Sequence, residues 1–416
     1  MRRFSLDVGA SAASQAVHAL AQLATQIVAV RLLPLHEYGF YAAGVALISL
    51  LELSILNRGG DVAMKHVGRT WIAQDYARAR ALGRHLTLSD CVWNFSAYGL
   101  LALAAWPLQQ LLDVPFLYLL LLGLSLPAQS GYGVSKSVFV VAGHVQRQAA
   151  FEIICALVAC SLAIAGLLSF GVFGLLVSVP ASAAFKGMLA RAWVARLWPQ
   201  SASSWREVRD LDKTQIAADS RKSVTRSVLA GAAENADMLI LNAFAGPTAT
   251  AAYKVAKSLA TLPGRVFGPA WVAIRPRIIR EWHEADMAAA RRTILRLALP
   301  MLAALVFAFP LALWLGDDLL RILFGNKTPD AFVPFLILLV GAWIYHAATS
   351  WYRILAALDN ERVRGVGAGL LLFIGVTALG LAFGRHSATG MATTTLVSLL
   401  IATVYCWRYG LWPRRS

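Results

Sequence analysis

Six polar side chains, Ser11, Gln15, His18, Gln22, Thr25 and Gln26, lie on the first long apolar stretch. At 3.6 residues per turn they occupy an arc of about 100° on a helix. A polar group in hydrocarbon is costly unless it faces protein or water, so a stripe of this length predicts the lining of a wet cavity. Isolated interhelical hydrogen bonds would explain single residues of this kind, not a row. The stretch that opens the second half carries a similar row of Ser223, Arg226, Ser227, Glu234 and Asp237. One span later, Lys254, Lys257 and Arg265 share an arc of about 80°. Lys254 and Arg265 lie near helix ends, from which their heads can snorkel. Lys257 lies roughly 12 Å inside at 1.5 Å per residue, too deep for that. Glu234 and Asp237 can pair with Lys257 and Lys254, or serve to couple a cation or proton, and the two roles are compatible.

His346, Ser350 and Arg353 share a face of a later span beside Trp343, and Lys136 sits at a depth comparable to Arg353 in the first half. Such cations either snorkel or contact phosphate, where arginine acts bidentately. Gln15, His18, Gln22, Gln26, Lys136, Lys254, Lys257, Arg265, His346 and Arg353 form the expected cavity lining, which should be net positive. Glu234 and Asp237 are the ion-coupling candidates. Tyr132, Trp343, Trp351 and Tyr352 are suited either to stacking on sugar rings or to an interfacial aromatic belt. Cys91, Cys155, Cys160 and Cys406 are widely spaced within apolar stretches, which predicts small buried hydrophobes and no metal or disulfide. No cofactor is expected.

These residues ride on elements that the composition defines. The chain is 58% hydrophobic and 14% charged, with a mean hydropathy of +0.61. A bilayer-crossing helix needs about 20 apolar residues, and about twelve such spans are read at residues 8–33, 38–56, 86–111, 114–142, 149–169, 172–192, 223–245, 249–273, 294–315, 331–357, 365–384 and 387–409. The predicted fold class is therefore an all-α polytopic membrane protein. No cleavable signal peptide is expected at the start. The net charge of +16 reads as topology and not as nucleic-acid binding, because Lys and Arg collect on alternate connections. Arg58, Lys65, Arg69, Arg78, Arg80 and Arg84 follow the second span, and Arg275, Arg277, Arg280, Arg291 and Arg292 follow the eighth. That bias places both termini in the cytoplasm. Connections of the other parity hold little beyond Arg31, Arg321, Lys327 and Arg385. They are short, which argues against a membrane glycosyltransferase or polymerase with a catalytic outward loop. A GxxxxGK[ST] phosphate loop is also absent.

The sequence reads twice. Arg69, Trp71 and Asp75 recur as Arg280, Trp282 and Asp286 at one offset, which also matches Arg80 with Arg291 and Leu86 with Leu297. Two six-helix lobes of like orientation follow, at residues 1–195 and 223–416, joined by a polar cytoplasmic linker at 196–222. Parallel repeats of this kind place a substrate site between lobes. Pro263-Gly264, Gly268-Pro269, Pro300 and Pro310 mark expected kinks.

The stretch from Arg31 through Pro34, Glu37, Tyr38 and Gly39 to Tyr41 resembles the "RLLP.EYG.Y" signature of Wzx-type polysaccharide flippases. These belong to the multidrug/oligosaccharidyl-lipid/polysaccharide (MOP) exporter superfamily. The runs Asp237 to Gly246 and Ala252 to Lys257 are similar to its seventh-to-eighth-span pattern, and Leu320 to Gly325 resembles its "lFG" element. Continuation through Asn326 to Asp330 departs from the pattern. The resemblance implies two MATE-like lobes around a central cavity. It also implies alternating-access movement of an undecaprenyl-pyrophosphate-linked oligosaccharide to the outer leaflet of a bacterial inner membrane. Membrane lipid, a polysaccharide polymerase and chain-length proteins are the partners it implies. A cation-coupled multidrug exporter of MATE type is the alternative, since its pocket is acidic or aromatic and Glu234 and Asp237 suit it.

Overall fold

A computed structural model describes residues 2–198, 213–283, 287–358 and 364–410. Among them the regular structure is helical. The order is α1 Arg2–Leu32, α2 Leu35–Ile72, α3 Tyr76–Leu112, α4 Phe116–Gly123, α5 Ser125–Ala128, α6 Tyr132–Val141, α7 Val145–Ala195, α8 Lys213–Ala260, α9 Leu262–His283, α10 Met287–Phe324, α11 Phe332–Leu358, α12 Arg364–Leu379 and α13 Ala388–Gly410. Six apolar segments of this set are long enough to cross a membrane: Tyr76–Leu112, Phe116–Val141, Val145–Ala195, Ala288–Lys327, Pro329–Trp351 and Ala388–Arg408. The polar rows of α1 and α8 lower their hydropathy. Leu103, Phe307 and Trp314 on the apolar helices are largely exposed, as a lipid-facing surface requires.

The basic connections are not loops: α2 continues as helix past the expected end of its span, and only Ala73 to Asp75 separate it from α3. There Asp75 caps α3 by accepting from the Arg78 backbone N–H. Trp71 packs edge-on against Tyr76 and Trp198, with ring centroids 5.2 and 5.4 Å apart.

Two of the expected spans form one continuous stretch in α7, which reverses at Gly171 (φ 59). α8 likewise carries its break at Gly246, and α9 starts one residue before Pro263. The fourth span departs most from expectation. It is broken into α4, α5 and α6, with Gly131 in the left-handed region (φ 77) that glycine tolerates. Pro127 and Gly131 supply the breaks. The freed backbone is buried with Ser125, Gln129 and Ser130, the setting in which non-helical backbone is tolerated at membrane depth.

Contacts group the chain into two compact units, one of Met1–Thr25 with Gly44–Gly231 and one of Gln26–Ala43 with Ala232–Ser416. In the first, Val67, Leu82, Leu86, Val138 and Phe139 form a core. The start of α8 joins this unit, because Lys65 Nζ and His66 Nε2 lie 2.7 and 2.9 Å from Asp219 Oδ2 and Ser223 donates to Asp61 at 2.9 Å. The second unit packs around Trp271, Ile278, Ile294 and Trp351.

Residues 26–43 are tied to the second unit by reciprocal caps. The Arg31 guanidinium donates to the Leu323 carbonyl at 2.9 Å and to that of Ile322 at the end of α10. Lys327 Nζ donates to the Arg31 and Leu33 carbonyls at 2.8 and 3.1 Å. Each cation satisfies orphan carbonyls at a helix C-terminus. Two exceptions to the charge bias are thereby explained as structural. Gly39 completes the attachment: a Cβ there would stand 1.9 Å from the Pro247 carbonyl oxygen. Gly39→Ala should therefore lower the thermal unfolding midpoint measurably, through overpacking of about 1–3 kcal/mol. A midpoint equal to that of the parent in detergent would show that α2 can shift to make room.

Candidate functional site

The first unit contains a cavity of about 200 Å³. Its chemistry-bearing lining comes from α1 (His18), α2 (Glu52), the broken fourth span (Ser125, Gln129) and both arms of α7 (Glu152, Lys186). The reversal at Gly171 folds α7 on itself. That brings Glu152 and Lys186 from opposite ends of a long apolar run to one wall. The arms approach closely at Gly166 and Gly174, where a Cβ on either would clash with the other's backbone.

Glu152 is the hub. Tyr132 donates its hydroxyl to Glu152 Oε1, and Lys136 Nζ lies 3.5 Å from the same oxygen. Lys186 Nζ stands 3.9 Å over the Tyr132 ring centroid, a cation–π geometry. Phe151 stacks on the Tyr132 ring at 6.0 Å, backed by Trp193 at 5.9 Å. Buried aromatics thus hold the phenol and the ammonium rigidly around a single carboxylate.

The second unit holds a second centre. Asp237, 1% exposed, receives Lys257 Nζ at 2.6 Å and the Tyr253 hydroxyl at 2.6 Å on Oδ2, and its own neighbour's N–H from Met238 on Oδ1. Tyr253 also meets Thr395 Oγ1 at 3.1 Å, and Lys257 donates to the Glu234 carbonyl at 2.6 Å. Of the two acids weighed for pairing with Lys257, Asp237 takes the ammonium with its side chain and Glu234 with its backbone. Lys254 feels the charges of Lys257, Asp237 and Arg265, so three of the expected cations are grouped here.

The other expected residues divide between the units. Gln15, His18 and Gln22 are exposed on α1, with Gln22 Nε2 3.0 Å from His18 Nε2. Gln26 is buried and its amide reaches the Lys254 carbonyl at 3.5 Å. The His346 ring packs against Gly264, and its carbonyl accepts from Ser350 at 2.8 Å. The side chains of Arg353, Tyr352 and Arg226 lie outside the described residues. Of the aromatics suited to sugar stacking, Trp351 is fully buried in the core and Trp343 donates to the Met301 carbonyl at 2.7 Å. Both pack within the protein. Sequence reasoning missed Glu52, Glu152 and Lys186. Each is a charge inside an apolar span, the signal that marks a site by default, but each lies near a span end and passes for a snorkelling residue.

Outside the spans, burial alone would raise the Asp219 carboxyl, but hydrogen bonds and charge from Lys65 and His66 outweigh it and hold it below its usual range. A depressed carboxylate contributes stability above its unfolded pKa of about 3.9 and loses it as pH falls through the folded value. The parent chain should therefore lose thermal stability on acidification below about pH 4 more steeply than Asp219→Asn does. Parallel acid profiles for the two would refute the role of this clamp.

The family model described as polysaccharide biosynthesis protein matches residues 28–327. The chain belongs to that family. The matched segment contains both reciprocal caps, the Gly39 contact, the Glu152 hub and the Asp237 centre. Among curated proteins, none matches by sequence. Solved structures similar to this polysaccharide biosynthesis protein are membrane transporters. An inward-facing multidrug resistance MATE transporter of the MOP superfamily is 14% identical, with a TM-score of 0.73 over 95% of this chain and 94% of its own. A MATE transporter from Vibrio cholerae gives 15% and 0.65, covering 98% and 97%. A MOP transporter from Pyrococcus furiosus, described as having a binding pocket of reverse polarity, gives 12% and 0.70 over 97% and 95%. At these identities the likeness establishes the fold. The family member thus has the all-α fold of those transporters, with six helical segments among the described residues long and apolar enough to cross a membrane.

Proposed function

We propose that this chain moves an undecaprenyl-pyrophosphate-linked oligosaccharide from the cytoplasmic to the outer leaflet of a bacterial inner membrane by alternating access of its two lobes. The family match over residues 28–327 carries this reading, because it ties a transporter fold to polysaccharide assembly. Cargo of this kind is anionic at its pyrophosphate, hydroxyl-rich in its sugars and apolar in its tail. Lys254, Lys257 and Arg265 suit the first, and the Gln, Ser and His side chains of α1 suit the second. Both termini are proposed to be cytoplasmic, from the alternation of Lys and Arg between connections. Partnership with a polymerase and chain-length proteins, and coupling of a cation or proton through Glu234 and Asp237, belong to the same reading.

The alternative, export of cationic drugs, would need free acidic groups. Asp237 is engaged by Lys257 and Tyr253, which weighs against it. Reconstitution in liposomes decides between them. A polyprenyl-diphosphate oligosaccharide loaded in one leaflet should become accessible to lectin on the other only when the protein is present. Protein-dependent ethidium efflux without lipid exposure would overturn the proposal in favour of the drug exporter.

A further inference from the structure

The cavity within the first unit has a lining that does not suit either kind of simple ion. Glu52 and Glu152 would repel an anion and the Lys186 ammonium would repel a bare cation, while the Gln129 amide and Ser125 hydroxyl can each donate and accept. What satisfies both is an uncharged group that donates and accepts in several directions. At about 200 Å³ the space is smaller than the roughly 300–1,000 Å³ typical of drug-sized ligands. It has the scale of one small ring and not of a whole oligosaccharide. Val45, Ile48 and Leu122 add an apolar surface against which ring C–H groups can pack.

Two further observations point to an occupant. Ser125 is 3% exposed and lines the cavity, and its Oγ has no hydrogen-bond partner among the described residues. Buried hydroxyls are nearly always satisfied, by protein, water or ligand. Glu52 has neither a hydrogen bond nor an ion pair among the described residues, while Glu152 is already engaged by Tyr132 and Lys136. The site therefore has a fixed wall and an open one.

We infer that this cavity holds a single pyranose ring of the transported cargo, with hydroxyls bonded to Glu52, Gln129 and Ser125. The inference rests on the flippase reading, which it deepens by locating one sugar inside a single lobe. A ring held there would make the head group's sugar identity, and not only its pyrophosphate, a condition for transport.

The test uses the full chain in nanodiscs with methyl glucoside, methyl galactoside and methyl N-acetylglucosaminide as probes, followed by saturation-transfer NMR. Saturable binding of at least one glycoside is expected. Glu52→Gln should weaken it at least tenfold, and Ala156→Leu, which fills the cavity, should do the same. The milder Glu52 change keeps the test valid if the filled variant does not fold, as judged by monodispersity. No binding by any of the three, parent affinity in a folded variant, or displacement by sodium or protons but not by a competing glycoside would each overturn the inference. Translocation of the polyprenyl-diphosphate oligosaccharide is measured alongside. A parent chain that binds glycoside but does not translocate refutes the flippase reading alone. Variants that bind glycoside and translocate like the parent refute the pyranose site alone.

Discussion

Lys257→Gln should destabilise the protein by about 3–5 kcal/mol, the usual cost of stripping one partner from a buried ion pair. Asp237 is 1% exposed and would retain only the Tyr253 hydroxyl and the Met238 N–H against its charge. The same change should cripple surface polysaccharide production in a strain that depends on this chain. The two effects are separable. In Asp237→Asn/Lys257→Gln the charge is gone from both partners, so most of the lost thermal stability should return. If Lys257 serves only to neutralise Asp237, transport should return with it. If the ammonium takes part in handling the anionic cargo, the double variant should be stable and still defective, and that is the expected result. Full polysaccharide from Lys257→Gln at normal protein levels would refute any working role.

Glu152→Leu is expected to have the second-largest effect. The carboxylate accepts the Tyr132 hydroxyl and attracts Lys136 and Lys186, and hydrogen bonds to a charged group contribute about 1.5–3 kcal/mol each. Its loss leaves the buried Tyr132 phenol without its acceptor and removes the carboxylate that attracts Lys186. A loss of about 2–4 kcal/mol, read from thermal unfolding in detergent, follows from these contributions. Glu152→Gln, which keeps an acceptor for Tyr132, should recover part of it. Equal unfolding midpoints for Glu152→Leu and the parent would mean that the cluster is held by its aromatics alone. Lys136 is half exposed and can turn to solvent, so Lys136→Gln should cost far less than either change at Glu152.

Much of the architecture was legible before any coordinates. The reversal between residues 169 and 172, the break near residue 246 and the start of α9 beside Pro263 all fell where apolar runs met glycine or proline. The fourth span reads as one helix on its apolar content as a whole, although Ser125, Gln129, Ser130, Ser135 and Lys136 interrupt it. Pro127 and Gly131 were the available signal, and hydropathy is blind to them. The basic connections were read as loops for the converse reason, since charge marks water and not the absence of helix.

For the site, sequence set Glu234 and Asp237 against Lys257 and Lys254 across neighbouring spans, because the two acids and Lys257 lie near mid-depth, but it could not say that Asp237 would take Lys257. It could not assemble the Glu152 hub. Tyr132, Lys136, Glu152 and Lys186 are spread over more than one helix and meet only after α7 has doubled back at Gly171. Nor could it explain Arg31 and Lys327, which were set aside as exceptions to the charge rule until each proved to cap the helix end beside the other.

By itself, then, the sequence determined that the chain is helical and apolar enough to span a bilayer, because hydropathy, helical periodicity and turn residues act over a few neighbouring positions. The tertiary structure alone decided which charges meet and which polar groups enclose a space. Those contacts join residues far apart in the chain, and their distances are fixed by how helices reverse, break and pack.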